Sequence, residues 1–277
     1  LALVCDVMPL RKINRYIALN LINNFKIKDN IILKTLYEIN KKQNNLTIED
    51  LGFFIGPIIN SGGRLNNSKI AADLLISENF NIIKKNSLKL TKLNNIRKEI
   101  EKNLLNEINF KKIEKNNKDI IIYYNRNINE GLIGIIASRL KDYFNKPAIV
   151  ITNSKNILKG SARSTINYNI GNVMKKMIDE KIIESGGGHN MAAGFIMRKH
   201  KLIELENFIL NDYLIKNKNR DLNNTYDTEI SPNGINKDFV CEINKIGPFG
   251  NGNPSPIFLI KNCKILKVTT IKDKHIG

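Results

Sequence analysis

The sequence predicts an α/β protein, because apolar runs with strand character alternate with segments of helical spacing. The strand signals lie at 119–124, 147–151 and 158–164, and helical patterns at 130–140, 170–181 and 202–214 separate or follow them. This order is typical of a layered α/β domain. A chain of 277 residues has room for about two domains.

The chain is strongly basic, with 44 Lys and Arg against 26 Asp and Glu and a net charge of +18. A charge of this size suits a polyanion such as nucleic acid. The chain is also rich in Lys, Asn and Ile, which A/T-rich codons encode, so compositional drift explains part of the excess. The charge therefore supports a nucleic-acid partner without establishing one.

The cysteines indicate a reducing compartment. Cys5, Cys241 and Cys263 are scattered and form no CxxC pair, so we expect reduced thiols in a cytoplasmic protein. No apolar run is long enough to span a bilayer, and no signal peptide is visible. We therefore expect no membrane association.

The first residues predict a buried strand, since Leu1–Val4 are all apolar. Asp6 follows this run, and α/β folds place ligands at the carboxyl ends of their strands. Asp6 is therefore a candidate metal ligand or a turn former. Because the chain begins inside one strand signal and stops within another at Gly277, we expect it to be a piece of a longer protein.

Two helices are predicted next, at 14–25 and 31–42. Thr47 should cap a third helix, with Asp50 three residues further on. A glycine-rich loop is expected at 56–65, where Arg64 beside bare backbone could hold a phosphate or simply lie in a turn.

The segment 68–112 predicts a long, highly charged helix. Leu88, Leu93, Ile96 and Ile100 should share its apolar face, and basic residues including Arg97 should cover the rest. Such a helix is typical of a solvated connector between domains. Contact with a phosphate backbone is the alternative.

Ser161 and Arg163 form the first candidate ligand site. They are two residues apart, so on an extended backbone both side chains point the same way. A hydroxyl and a guanidinium on one face suit a terminal phosphate. The alternative is an edge strand with a surface arginine.

The segment 185–194 forms the second candidate. Gly186, Gly187 and Gly188 lack Cβ atoms, so this stretch is expected to be a loop that takes positive φ and approaches a ligand closely, with His189 at its lip. A phosphate or nucleotide contact is one interpretation. A tight turn that the histidine caps is the other.

The remaining segments are connectors and short strands. Residues 217–224 read as a linker and 247–254 as a rigid turn, while 257–260 and 263–269 alternate like strands.

Six motifs in this order resemble the RecJ family, the single-strand-specific 5′→3′ exonucleases of the DHH phosphoesterase superfamily. They are Asp-Val-Met-Pro-Leu at 6–10, Gly-Pro-Ile-Ile-Asn-Ser-Gly-Gly-Arg-Leu at 56–65, Glu-Gly-Leu-Ile-Gly-Ile-Ile-Ala-Ser-Arg-Leu at 130–140, Gly-Ser-Ala-Arg-Ser at 160–164, Gly-Gly-Gly-His-Asn-Met-Ala-Ala-Gly at 186–194 and Pro-Phe-Gly-Asn-Gly-Asn-Pro at 248–254. The likeness covers essentially the whole chain.

The resemblance implies a domain layout. Residues 1–55 would be the end of a DHH catalytic domain, and 56–117 a connector with a long helix. Residues 118–216 would be the DHH-associated α/β domain, and 217–277 a linker and the beginning of an OB-type domain.

The resemblance also implies chemistry, namely phosphodiester hydrolysis by two divalent ions, Mn²⁺ or Mg²⁺. Asp6 would be a catalytic metal ligand, and His189 a catalytic residue facing the active site. The Asp-His-His motif that would supply further ligands does not occur in this sequence, so we expect this chain alone to be inactive.

Further residues are implied to bind substrate. Ser161 and Arg163 match residues that hold the DNA 5′-phosphate, and Arg64 matches an arginine near the strand. We place Ser164 and the glycines 186–188 in the same candidate substrate-binding site. The implied partner is single-stranded DNA with a 5′ phosphate. A single-strand-binding protein or a helicase is a further candidate partner, and the expected state is a monomer.

The sequence departs from the family pattern at two places. Ile58 replaces a common arginine, and Ile128-Asn129 replaces a common Trp-His pair. Three alternatives remain: a phosphodiesterase for oligonucleotides or cyclic dinucleotides, a nucleic-acid-binding module without catalysis, and a synthetase editing domain. The last does not explain Asp6 or the motif at 160–164.

Overall fold

The computed structural model describes residues 1–43, 45–65, 67–116, 118–217, 225–264, 266–268, 270–271 and 275–276. The chain forms two compact units. One contains Leu1–Asp29, Asn44–Phe54 and Asp221–Gly277, and the other contains Asn30–Gln43 and Ile55–Arg220. We refer to them as the smaller and the larger unit.

The helices and strands are numbered along the chain. The helices are α1 Ala2–Cys5, α2 Lys12–Asn24, α3 Ile31–Ile39, α4 Gly56–Leu65, α5 Lys69–Ile76, α6 Phe80–Glu107, α7 Phe110–Lys115, α8 Ile133–Phe144, α9 Ile170–Asp179, α10 Leu202–Asn217 and α11 Lys237–Lys245. The strands are β1 Ile121–Tyr124, β2 Ala148–Ser154, β3 Ile157–Arg163, β4 Ser185–Gly188, β5 Ala192–Met197, β6 Thr228–Glu229, β7 Phe258–Leu259, β8 Thr270–Ile271 and β9 His275–Ile276. No described helix is both long and apolar enough to cross a membrane.

A mixed sheet with the order β1-β2-β3-β5-β4 forms the centre of the larger unit. Strands β1 and β2 are parallel and are joined through α8, and the other neighbours are antiparallel. This confirms the predicted strand–helix–strand order and the α/β class.

The sheet is covered on both faces near its centre, where β2 lies. Ile149 and Ile151 belong to the core that includes α9 and α10, while Ala148 and Val150 belong to the core that includes α8. Residues two apart on a strand point to the same face. Helix α8 therefore covers one face of the sheet, and α9 and α10 cover the other.

A buried polar network joins α9 and α10. Asp212 accepts hydrogen bonds from the Tyr168 hydroxyl at 3.1 Å and from Lys176 at 3.0 Å, and Lys216 pairs with it at 2.7 Å. Burial acts to raise the pKa of Asp212, but the hydrogen bonds from the two lysines outweigh it and hold the pKa below its usual value.

The predicted loop at 56–65 is wrong, because these residues form α4. Gly62 serves helix packing instead. A Cβ on Gly62 would lie 3.1 Å from Leu90 Cδ2 on α6 and 3.0 Å from the carbonyl oxygen of Asn67. Ile58 is buried in this helix. Close approach of two helices, rather than a turn, accounts for the small residue.

The single long helix predicted at 68–112 is also wrong, because it is divided into α5, α6 and α7. Asn79 and Asn109 divide it: each side chain accepts a backbone hydrogen bond at the start of the following helix, as an N-cap does. The buried face of α6 differs from the predicted one as well. It includes Ile83, Leu90 and Arg97, whereas Leu88 and Ile96 are exposed.

The predicted loop at 185–188 is a strand, β4, at the edge of the sheet. Its glycines do not take positive φ; among the described glycines, only Gly252 does. Two of them are required by close packing, since a Cβ on Gly186 would lie 2.9 Å from Phe195 Cβ and one on Gly188 would overlap the Ala192 carbonyl. The turn follows at 189–191.

The smaller unit differs from the prediction at its beginning. Leu1–Val4 do not form a buried strand: residues Ala2–Cys5 form a short helix with no buried residue. The predicted cap is confirmed. Helical residues begin at Ile48 and continue into a π-helix at Asp50–Ile55, and at their start the Asp50 amide donates to Thr47 Oγ1 at 3.1 Å and the Thr47 amide donates to the Asp50 carboxylate at 3.3 Å.

The predicted turn at 247–254 is confirmed, with a bridge between Gly250 and Asn253. It lies against the segment that follows α1: the Leu10 amide donates to the Asn251 carbonyl at 2.6 Å, and Asn251 Nδ2 donates to the Val7 carbonyl at 2.6 Å. The strand predicted at 257–260 appears as β7, paired with β6. The described residues of 263–269 form no strand, and the predicted linker lies almost wholly outside the described residues.

Candidate functional site

Ser161 and Arg163 lie side by side on one face of β3. Burial alternates along the strand, with Leu158, Gly160 and Ala162 buried and the residues between them partly exposed. Arg163 Nη1 donates to Ser161 Oγ at 3.3 Å. Strand β3 lies inside the sheet between β2 and β5, so the alternative of an edge strand is wrong. The structure thus brings the hydroxyl and the guanidinium together on the half-exposed face.

The beginning of α8 lies directly over this pair. A Cβ on Gly134, in the first turn of α8, would lie 3.1 Å from Arg163 Nη2 and 3.2 Å from Ser161 Oγ. The first α-type bond of the helix runs from the Ile136 amide to the Leu132 carbonyl, so the amides of Ile133 and Gly134 have no intrahelical acceptor. The positive end of a helix therefore faces a guanidinium and a hydroxyl, which is an arrangement that binds anions.

Arg64 lies near the same helix end. Its Nη1 donates to the carbonyl of Gly131 at 3.1 Å, just before α8, and a Cβ on Gly131 would overlap the Arg64 backbone. Burial lowers the pKa of Arg163, and the positive charge of Arg64 lowers it further. Both guanidiniums stay protonated at neutral pH. Two like charges that repel one another in a half-buried place favour a bound anion.

The carboxylate near this cluster is already paired. Glu101 on α6 is buried and accepts from Arg97 Nη1 at 2.8 Å and from Arg139 Nε at 2.7 Å. Burial lowers the pKa of Arg64, the charge of Arg97 lowers it further, and Glu101 opposes both. Among the described residues, no carboxylate pairs with Arg163. Positive charge is therefore left over beside the α8 terminus.

A bare strip of backbone runs from Ser161 toward the sheet edge. Ser161 pairs with Gly194 on β5, and Gly194 pairs with Gly187 on β4. Paired residues point to the same face, so these two glycines extend the face that carries Ser161. A Cβ on Gly187 would meet nothing within 4 Å, and one on Gly194 only the Gly160 carbonyl at 3.8 Å. Between Ser161 and the edge of the sheet, this face therefore presents backbone alone at Gly194 and Gly187.

His189 stands in the exposed turn between β4 and β5. Its backbone is held firmly, because its amide donates to the Ala192 carbonyl at 2.8 Å and its carbonyl accepts from the Gly171 amide at 3.1 Å. No hydrogen-bond partner of the imidazole is found in the described part of the chain. The turn is fixed while the ring remains available, and its role stays a prediction.

Ser164 is placed differently from its neighbours. It is fully buried, and its hydroxyl donates to the Tyr168 carbonyl at 2.5 Å while its amide donates to the Met191 carbonyl at 2.8 Å. It holds the turn before α9 and is not accessible to a ligand. We therefore leave Ser164 out of the candidate site.

Asp6 belongs to the smaller unit and is exposed at the end of α1. It does not follow a buried strand as predicted, because the preceding residues form the short helix α1. The described residues contain no group of three or more His, Cys, Asp or Glu side chains that could hold a metal ion. One exposed carboxylate is too few ligands for a divalent ion. The described residues thus do not fit a metal site by themselves.

Two parts of the site were missed by sequence reasoning. Gly134 lies in a segment that was predicted only to be helical, and its position beside Ser161 and Arg163 depends on how α8 crosses β3. The burial of Glu101 was missed because the charged surface of α6 hid it. The sequence did contain a signal for Glu101: Arg97 precedes it by four residues, and side chains four apart on a helix can form an ion pair.

Comparison with known proteins places this geometry in a class. Residues 117–213 match the DHHA1 domain family, and residues 226–277 match the RecJ OB domain family. The fold is also that of solved structures of RecJ from Thermus thermophilus: the Mn²⁺ complex matches with a TM-score of 0.77 at 22% identity, over 93% of this chain and 38% of that one. The Mg²⁺ complex matches with a TM-score of 0.74 at 23% identity, over 92% and 40%. The chain therefore consists in large part of a DHHA1 domain followed by an OB domain.

The curated relatives specify the class further. The chain is 31% identical to the single-stranded-DNA-specific exonuclease RecJ of Haemophilus influenzae, over 93% of this chain and 47% of that protein. It is 28% identical to RecJ of Bacillus subtilis, over 97% and 35%. The chain is thus homologous to the RecJ exonucleases and spans between about a third and a half of their length.

Proposed function

We propose that this chain is the phosphate-anchoring part of a 5′→3′ exonuclease specific for single-stranded DNA, acting in DNA recombination and repair. One observation carries the proposal: Ser161 and Arg163 lie against Gly134 in the first turn of α8, whose amide has no intrahelical acceptor, and no carboxylate of the described chain pairs with Arg163. The homology to RecJ exonucleases supports it.

The arrangement suits the end of a strand better than its interior. A terminal phosphate carries more charge than an internal phosphodiester and offers three oxygens instead of two. A guanidinium binds such oxygens in a bidentate manner, and the helix amides and the Ser161 hydroxyl can donate to the remaining one. We infer that the 5′ phosphate lies beside Ser161 and Arg163, where β3 meets the start of α8, with Arg64 supplying additional positive charge.

The bare strip suits a strand of any sequence. Gly194 and Gly187 present backbone only, so the first nucleotide would meet no side chain that distinguishes one base from another. His189 at the end of the strip would contact the same nucleotide. Recognition would rest on phosphate and backbone, which is sequence-independent.

Hydrolysis is a separate part of the proposal. We infer that the complete enzyme uses two divalent ions, Mn²⁺ or Mg²⁺, with Asp6 as one ligand among others, and that these 277 residues alone bind DNA ends without cutting them. The test is incubation of the chain with labelled single-stranded DNA and Mn²⁺. We expect no release of mononucleotides, and robust metal-dependent release would contradict this inference.

The anchoring is tested by binding. Fluorescence anisotropy would compare 3′-labelled oligothymidylate bearing a 5′ phosphate with the same strand bearing a 5′ hydroxyl and with a blunt duplex, over a series of salt concentrations. We expect the phosphorylated single strand to bind most tightly, with affinity that falls as salt rises. Arg163→Ala should weaken its binding by about tenfold or more, because a hydrogen bond to a charged group contributes about 1.5–3 kcal/mol.

A matched control removes one positive charge from α8 at a distance from Arg163. Lys141 lies near the far end of α8, about 10 Å along the axis from Gly134, and pairs with Asp142. Lys141→Ala should leave the ratio of phosphorylated to hydroxyl-ended binding unchanged. Equal binding of all three nucleic acids by the unsubstituted chain would overturn the anchoring role. A cyclic dinucleotide that competes better than the phosphorylated strand would favour the phosphodiesterase alternative.

The proposal also covers the oligomeric state of the protein and its protein partners. We infer a monomer that acts beside a single-strand-binding protein or a helicase, because either would present unpaired DNA to the anchor. Light scattering after size exclusion tests the first statement, and co-elution with purified candidates tests the second.

A further inference from the structure

A basic cavity lies at the end of the sheet that is opposite to Ser161 and Arg163. It has a volume of about 610 Å³ and lies between the end of α9, the start of β4 and the end of β5. Arg198 at its rim is six residues beyond Ala192, the partner of Arg163, which is about 20 Å along an extended strand. The cavity is therefore separate from the anchor at Arg163.

The wall of this cavity is cationic. Lys181, Arg198, His200 and Lys201 line it, and Glu184 is the carboxylate among its lining residues. Arg198 Nε donates to Glu184 at 2.6 Å, and Lys201 pairs with Glu204 at 2.5 Å. In the described part of the chain no acceptor is found for the Lys181 ammonium or for the Nη groups of Arg198. Positive charge therefore remains at the wall after the internal pairs are formed.

The floor of the cavity is apolar. Ile178, Ile182 and Ile183 line it, and Ile178 remains 36% exposed on the last turn of α9. An apolar floor below a cationic wall matches a ligand with a flat or apolar part and an anionic group. A volume of this size falls within the range of small-molecule sites.

The backbone that carries Lys181 provides a second observation. Lys181 follows the C-cap of α9 with φ +57°, a left-handed conformation that helices usually reserve for glycine. Its amide donates to the Ile178 carbonyl at 2.9 Å, so the turn is fully formed. Other lysines of the chain, such as Lys41 and Lys155, take the same conformation, so the turn matters here because it fixes the backbone of a lysine that lines the cavity.

We propose that this cavity is a second phosphate-binding site, which takes a nucleotide with its phosphate on the cationic wall and its base or sugar on the isoleucine floor. The nucleotide is either free, as a nucleoside 5′-monophosphate, or part of a DNA strand. The identity of the ligand rests on the proposed function, since nucleotides are both the substrate units and the products of such an exonuclease. The cavity itself does not depend on the anchor.

The test uses the whole chain with Arg163→Ala, so that the anchor does not contribute. Binding of dTMP is measured by titration calorimetry, and binding of hydroxyl-ended oligothymidylate by anisotropy. Lys181→Gly removes the ammonium while keeping a residue that favours the left-handed turn, so a loss of binding would not reflect unfolding. Arg198→Gln removes the second cation. Lys175→Gln on the exposed side of α9, outside the lining residues, is the control for loss of one charge.

We expect Lys181→Gly and Arg198→Gln each to weaken binding at least fivefold, and Lys175→Gln to change it less than twofold. A loss confined to dTMP supports a site for the free nucleotide, and a loss that includes the strand supports a site for DNA. If Lys181→Gly and Arg198→Gln bind both ligands as the parent does, or if the parent binds neither ligand, the cavity is not a phosphate site and the proposal is wrong. The preference for a 5′ phosphate, measured with Arg163 intact, reports separately on the proposed function.

Discussion

Replacement of Gly134 by alanine should separate stability from phosphate binding. The added Cβ would lie 3.1 Å from Arg163 Nη2 and 3.2 Å from Ser161 Oγ, which is closer than most carbon contacts. Both neighbours are ends of side chains, so they can move by a few tenths of an ångström. The helix should therefore form, with the guanidinium displaced.

The two effects have opposite signs. Inside a helix alanine is favoured over glycine by about 0.8–1 kcal/mol, so the free energy of unfolding should rise by up to that amount, less the cost of the displacement. The methyl group would push the Arg163 guanidinium away from the position in which we propose that it binds the phosphate. Loss of one charge-assisted hydrogen bond of about 1.5–3 kcal/mol would weaken binding of the phosphorylated strand by about ten- to a hundredfold.

Two measurements check this. Urea unfolding followed by circular dichroism gives stability, and anisotropy with 5′-phosphorylated and 5′-hydroxyl strands gives the preference. Gly63→Ala is the matched control: Gly63 is an exposed helical glycine on α4, and its Cβ would lie 3.7 Å from Ser68 Cβ, an ordinary contact. It should stabilise without altering binding. An unchanged preference in Gly134→Ala would refute the location of the phosphate where β3 meets the start of α8.

Three further predictions concern stability. Glu101→Gln should lower the free energy of unfolding by about 3 kcal/mol, because it removes the charge of a buried carboxylate that pairs with two guanidiniums. Urea unfolding measures this loss. Gly160→Ala should cost about 3 kcal/mol, because its Cβ would overlap the Phe195 ring, and adding Phe195→Leu should restore part of the loss. The carboxylate of Asp212 has a lowered pKa, so it stabilises the fold above about pH 4, and this stabilisation is lost as pH falls through the folded-state pKa. Asp212→Asn should therefore flatten the fall of Tm in this acid range.

Each of these has a control in the same chain. Glu107→Gln at the exposed end of α6 should change stability by less than about 0.5 kcal/mol, so an equal loss there would remove the case for Glu101. For Gly160, failure of Phe195→Leu to restore any stability would mean that the ring is not the obstacle. For Asp212, identical acid dependence in the parent and the asparagine variant would contradict the assigned pKa direction.

Much of the larger unit could be predicted because its signals are local. The runs at 119–124 and 147–151 became β1 and β2, and the helices at 170–181 and 202–214 became α9 and α10 with ends shifted by a few residues. The predictions failed repeatedly at glycines. Gly62 and Gly186 were both expected in loops, yet they lie in a helix and a strand where a Cβ would come within about 3 Å of a neighbouring side chain.

The sequence by itself determined that Ser161 and Arg163 share a face, because the two-residue period of a strand is a property of the backbone alone. Only the tertiary structure decided that this face meets the start of α8 at Gly134, that Arg64 reaches Gly131, and that Glu101 is buried between two arginines. These contacts join residues between about 30 and 70 positions apart, apart from the local Arg97–Glu101 pair. Their geometry follows from how helices cross the sheet, which no local pattern of residues specifies.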